Sequence, residues 1–162
     1  MARSSQYHHC IQRIDIGGQD PIDLEDWPNC PGLRYLKAEG INDIGESKNI
    51  YIEEYADSDR LRVYLPPDNN YTHKNTTVTM TFVILGDAES RQITIENFLD
   101  EITKGIHCYW DDARNREFDF VVTDEVKISE ERWHGNQPYI EIAIPMKNLN
   151  GSTRPRTRPM SL

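Results

Sequence analysis

The sequence predicts an α+β domain: a β-sandwich or split barrel flanked by one α-helix over about residues 95–104. Three observations predict it. Most apolar runs alternate with a period of two, one segment alone switches to the helical period, and strands do not recur with crossover helices between them. The last point argues against a doubly wound parallel sheet.

The opening 32 residues are weakly periodic. Ile11, Ile14 and Ile16 form one short run that Gly17-Gly18 breaks, and Pro21, Pro28, Pro31 and Gly32 interrupt the rest of the segment. Residues 1–32 are therefore expected as an extended N-terminal arm and irregular cover, ahead of a β-rich domain over 33–150. Leu33–Ala38 and Asn49–Tyr55 read as strands, with the two-glycine segment from Gly40 to Gly45 as a loop between them. Leu61, Val63 and Leu65 alternate with Arg60, Arg62 and Tyr64, the pattern of a strand wet on one side, until Pro66-Pro67 ends it. Thr77–Leu85 is the strongest strand: Val78, Met80, Phe82 and Ile84 share one face, and β-branched residues abound.

The helix comes next. Thr94 is expected as its N-cap, and Ile95, Phe98, Leu99 and Ile102 fall at i, i+3, i+4 and i+7, one stripe for packing on the sheet. Lys104 and Gly105 suit its C-terminal end. Beyond it the period returns to two. Ile106–Trp110 and Glu117–Val122 flank a polar turn, Val126 opens a strand reaching toward Trp133, and Pro138–Pro145 carries Ile140, Ile142 and Ile144 on one face. Residues 151–162 read as a basic, flexible Pro/Arg tail.

A chain of 162 residues, 37% hydrophobic, can bury a substantial core. It holds no apolar stretch near the roughly 20 residues a spanning helix needs, so no membrane partner is expected. Cys10, Cys30 and Cys108 are an odd number without zinc-knuckle spacing, which favours free thiols. The net charge of −9 disfavours a long nucleic-acid contact surface. Setting aside Arg154, Arg156 and Arg158 of the acid-free tail leaves the body at −12, so the tail is a candidate contact for another copy, or else a solvated end.

Chemical motifs are sparse. On an extended strand His107 and Cys108 point to opposite faces and cannot act as a nucleophile and base, so Cys108 is expected as packing. His8-His9-Cys10 would need Cys30 or His134 beside it to hold zinc, and nothing in the spacing brings them there. The acid pairs Asp57/Asp59, Asp111/Asp112, Asp124/Glu125 and Glu130/Glu131 lack a marked cleft for hydrolysis. No catalytic residues, metal or cofactor are therefore expected. Trp110, Trp133 and Tyr139, with Arg154, Arg156 and Arg158, are the candidate interface or ligand surface; a carbohydrate- or peptide-binding module using exposed aromatics is the alternative, and a carboxylate hydrolase a weaker one.

The stretch 94–151, with its helix, the hairpin around Asp112–Arg116, the strand ending near Trp133 and the Tyr139–Ile144 strand before Gly151, resembles phage tail-tube and distal-tail type structural proteins. By element order the resemblance spans about residues 33–151. It implies a structural protein that self-assembles, often as a hexameric ring, made in the cytoplasm and resident in a virion tail. Its partners would be further copies and other tail proteins, and an acidic lumen would let DNA pass without specific binding. A tube protein would carry a long β-hairpin insertion, whose absence keeps a distal-tail hub or a tail-completion component equally in view.

Overall fold

The structure is a computed structural model that describes residues 7–48, 50–53, 62–68 and 73–158. The element order is β1 (His9–Arg13), β2 (Ile22–Asp23), β3 (Leu33–Glu39), β4 (Tyr51–Glu53), β5 (Arg62–Tyr64), β6 (Thr76–Leu85), α1 (Ala88–Ile102), β7 (His107–Asp111), β8 (Arg116–Val121), β9 (Lys127–Ile128), β10 (Arg132–His134), β11 (Gln137–Asn148) and β12 (Arg154–Pro155). Ten of these strands form one antiparallel sheet along the path β2-β1-β7-β8-β11-β6-β3, with β9 and β10 on β11 and β12 on β8. β4 and β5 pair as a separate hairpin; Asn49 and residues 54–61, which include the ends of the strands expected over Asn49–Tyr55 and from Arg60 to Leu65, lie outside the described residues.

The path has two ends, β2 and β3, that do not pair, so the sheet is not closed into a barrel. It is divided instead. β6 and β11 pair over ten residues, from Tyr139↔Leu85 to Asn148↔Thr76, whereas β8 and β11 share only Lys147↔Val121 and Asn148↔Phe120. Side chains from both halves nevertheless enter one core: Ile11, Tyr109, Phe118 and Phe120 from one, and Met80, Phe82, Ile142 and Ile144 from the other. In β6 the predicted face, Val78, Met80, Phe82 and Ile84, is wholly buried.

The helix covers that core, and it is longer than its apolar stripe. α1 begins at Ala88, where Asp87 in extended conformation accepts a 2.8 Å bond from Ser90 N–H. Asp87, not Thr94, is therefore the N-cap. Thr94 lies well inside the helix, fully buried, and its hydroxyl donates to Pro31 O at 2.8 Å. Phe98 and Ile102 are fully buried and Ile95 and Leu99 pack beside them. Phe98 meets Phe82 edge-on at 5.1 Å between ring centroids and Trp27 at 6.5 Å. The helix ends at Ile102 with Thr103 as C-cap; Gly105, at φ 72°, lies two residues further on, and its missing side chain admits the Asp15 carboxylate, which accepts Ile106 N–H at 3.0 Å.

The segments read as arm and tail supply strands. His9–Arg13 is an interior strand between β2 and β7, and Leu24 and Cys30 of the loop after β2 are buried under α1 and the sheet. Arg154–Pro155 pairs with Glu117 and Arg116 at the end of β8 that β11 leaves uncovered. In β5 and the residue after it, the expected half-buried pattern fails: Val63 and Leu65 are 51% and 59% exposed because the hairpin is not part of the large sheet.

Candidate functional site

Alternation along β7 sorts its side chains into two environments. Tyr109 joins the main core, while Cys108 and Trp110 form a small second cluster with Cys10 on the other face of the sheet. Trp110 is fully buried and so is not part of an exposed surface: β7 lies between β1 and β8, and the Arg158 guanidinium sits 5.6 Å from the indole ring centroid. His107 is also buried, stacks on Phe120 and places Nε2 3.2 Å from a Glu101 carboxylate oxygen. Burial pulls the His107 pKa below 6.5, with Glu101 opposing. Cys108 is buried as expected, and burial pushes its thiol up to about 12, as it does that of Cys30. Neither is poised as a nucleophile.

Two of the three tail arginines, Arg154 and Arg158, converge on one acid. Glu117, almost wholly buried, accepts Arg154 Nη2–H at 3.0 Å and both the backbone N–H and the hydroxyl of Thr157, at 2.5 and 2.8 Å. Arg154 also donates to Asp119 at 2.8 Å, and Arg158 lies 3.6 Å from Glu117 while donating to Gln12 at 2.5 Å. Arg156 donates to Asn115 Oδ1 and to the carbonyl of Arg158. Burial alone would raise the Glu117 pKa, but the Thr157 bonds, the Cys108 thiol and Arg154 outweigh it and hold the carboxyl below its usual 4.5. Residues 153–158 are thus strapped across Cys108 and Trp110, where composition pointed to a flexible end.

A second polar group joins the two ends of the sheet. The His9 ring stacks on Tyr35 of β3 at 3.8 Å between centroids, with 17° between planes. His9 Nδ1 is 2.8 Å from Tyr109 Oη, which is 2.9 Å from Asp111 Oδ2. A carboxylate only accepts, so the phenol donates to Asp111 and its oxygen receives the His9 Nδ1–H. Arg114 donates to Asp111 at 2.7 Å and reaches Tyr35 Oη at 3.4 Å; Glu25 accepts Tyr35 N–H at 2.8 Å. His9, Tyr109, Asp111 and Glu25 are all buried. No local sequence pattern announces this group, since its members come from four separate segments.

On the outer side, Leu36, Val83, Leu85, His134, Gln137, Tyr139 and Glu141 line an open groove of about 370 Å³. Leu36 is 48% exposed, and Trp133 of β10 is 62% exposed. Trp133 and Tyr139 therefore do reach the surface, unlike Trp110.

The remaining chemical candidates are dispersed. His8 Nδ1 pairs with Asp23 at 2.6 Å, His9 turns to Tyr109, Cys10 packs with Cys108, and Cys30 Sγ faces Thr94 O. Among the described residues, His8, Asp23 and Asp26 have ligand atoms within 4.8 Å of one another, a set of donors that could hold a cation, though two of them already bond to each other. Asp111 is tied to Arg114, Asp112 accepts His8 N–H, and Glu131 pairs with Arg91. Asp57 and Asp59 lie outside the described residues. Among the described residues no helix is long and apolar enough to cross a membrane.

Comparison with known proteins gives a fold likeness. No family model matches the chain, and no curated protein matches it. Among solved structures, a chain of the phage p2 baseplate in its activated conformation with Sr superposes with a TM-score of 0.61 at 10% identity, covering 91% of this chain and 45% of that one. A chain of the same baseplate in its activated conformation with Ca gives 0.60 at 12% identity, with the same coverage. The chain thus spans less than half the length of these neighbours and shares its fold with part of a phage baseplate component.

Proposed function

We propose that the chain is a structural component of a phage-tail-type apparatus, acting by association with copies of itself and with other tail proteins and not by catalysis. The observation that carries this reading is the likeness to the phage p2 baseplate chains across 91% of the chain. The chemistry agrees with it: the thiols are buried, and Arg154 and Arg158 of the tail are bonded inward. Within that reading, a distal-tail hub or tail-completion component fits as well as a tube subunit. The sheet in this reading is an opened sandwich, its two halves facing each other across the core from the β8–β11 seam.

Self-assembly into a ring would set the Trp133 and Tyr139 face against a neighbouring copy, since these are the two predicted aromatics that remain accessible. An acidic body would leave such a ring permissive to DNA without binding it. Sedimentation velocity over a wide concentration series is the test. A discrete closed oligomer that Trp133→Ser weakens is expected; a monomer at every concentration overturns self-assembly.

A further inference from the structure

We propose that His9 is a proton-operated latch: uptake of a proton at its buried Nε2 withdraws the ring from Tyr35 and parts the β3 end of the sheet from the β1–β2 end. This holds whether or not the chain assembles. The two ends share no backbone pairing among the described residues. What joins them at Tyr35 is a trio of contacts from the opposite half: the His9 ring, the Glu25 carboxylate and the Arg114 guanidinium. His9 is the one of the three whose ordinary titration lies near neutrality.

The tautomer decides where the proton must go. Nδ1–H is committed to Tyr109, so only Nε2 can take up a proton, and that atom is buried with no hydrogen-bond partner among the described residues. A charge formed there loses its hydration and finds no acceptor, a penalty the closed state carries and the open state escapes. The groups facing the ring come from four elements. From β7 and the start of its turn come Tyr109, Asp111 and Asp112; from the turn itself, Arg114; from the loop after β2, Glu25; and from β3, Tyr35. Asp111, Glu25 and Asp112 favour the cation and Arg114 opposes it, yet burial dominates and draws the His9 pKa below 6.5.

A lowered pKa in the closed state fixes the direction of the pH effect. Above pH 6.5 both states hold neutral His9 and the latch is closed. As pH falls from 6.5 to the lower closed-state value, the open state takes up the proton first, and the opening constant rises about tenfold per pH unit. Below the closed-state value the rise levels off.

The experiment is amide hydrogen exchange of the full chain between pH 5 and 8, expressed as protection factors, with the His9 ring followed by NMR in the same samples. Tyr35 N–H is the reporter, because it bonds to Glu25 across the junction. Its protection should fall up to tenfold per pH unit from 6.5 down to the pH at which the His9 signal of the folded chain titrates, and level off below it, while β6–β11 amides stay protected. His9→Gln should make Tyr35 protection independent of pH. His8→Gln should leave the pH dependence intact, since His8 faces Asp23 and not Tyr35. Tyr35 protection that stays flat between pH 6.5 and a lower His9 midpoint overturns the latch, as does loss of the effect in His8→Gln. Both readings come from chains with His9 in place, so they stand even if His9→Gln fails to fold.

Discussion

Replacing Phe98 with alanine tests the central packing of the fold. The side chain is fully buried and sits edge-on between Phe82 and Trp27. Phenylalanine-to-alanine changes in cores cost about 3–5 kcal/mol, depending on how far the surroundings collapse into the space. Here both walls are held. Phe82 belongs to a strand paired on both sides, and the Trp27 loop is fastened to α1 by Thr94 Oγ1–H to Pro31 O and Asn97 Nδ2–H to Asn29 O. Little relaxation is open to either, so the loss belongs no lower than the middle of that range, about 4 kcal/mol. With a urea m-value of about 2 kcal/mol per molar, the midpoint should fall by about 2 M at unchanged slope. Tryptophan fluorescence reads it, with Trp27 beside the vacated space. Exposed Glu96→Ala should stay within about 0.5 kcal/mol. A loss below about 1 kcal/mol for Phe98→Ala, or equal losses from both changes, would refute the placement of the stripe.

Two further substitutions and one change of pH probe other parts of the fold. Glu117→Gln should loosen the tail strap, measured as faster tryptic cleavage after Arg156, the tail arginine whose bond is not blocked by a following proline; an unchanged cleavage rate would mean that the carboxylate does not hold the strap. Because the Glu117 pKa is depressed, the same release should occur in the wild-type chain as pH falls from about 4.5 through the folded-state value, and not above it. Gly105→Ala should destabilise by about 1–2 kcal/mol from its left-handed backbone alone, and more from collision with Asp15, whose carboxylate would lie 2.5 Å from the new Cβ; thermal unfolding checks it, and a neutral result would place that turn elsewhere.

The legible parts of this fold are those in which hydrophobicity and burial coincide. Val78, Met80, Phe82 and Ile84 alternate and are buried, and Phe98 and Ile102 recur at helical spacing and are buried. The illegible parts are those where polar residues occupy inward positions. Arg91 and Thr94 continue the Phe98 stripe toward the N-terminus and are both buried, so apolar periodicity alone starts the helix at Ile95 when it begins at Ala88. Asp87 three residues before Ser90 was the available signal. The tail misleads for the same reason in reverse. Its arginines read as solvated, yet a buried acid on β8 receives two of them, and no local pattern marks Glu117 as different from half-buried Asp119 or from exposed Asp124 and Glu125. Trp110 and Trp133 illustrate the limit for candidate sites: the same residue type is walled in on an interior strand and open to water on a peripheral one, a difference set by strand order.

The narrow seam between β8 and β11 has a mechanical consequence. Pulling the halves of the molecule apart loads two register pairs there, against ten at the β6–β11 junction. A tensile load carried through this chain would therefore yield first along that line, with the hydrophobic interior acting as the adhesive between two stiff leaves. Stretching from one leaf to the other should show a low rupture force, and stretching within the β6–β11 leaf a high one.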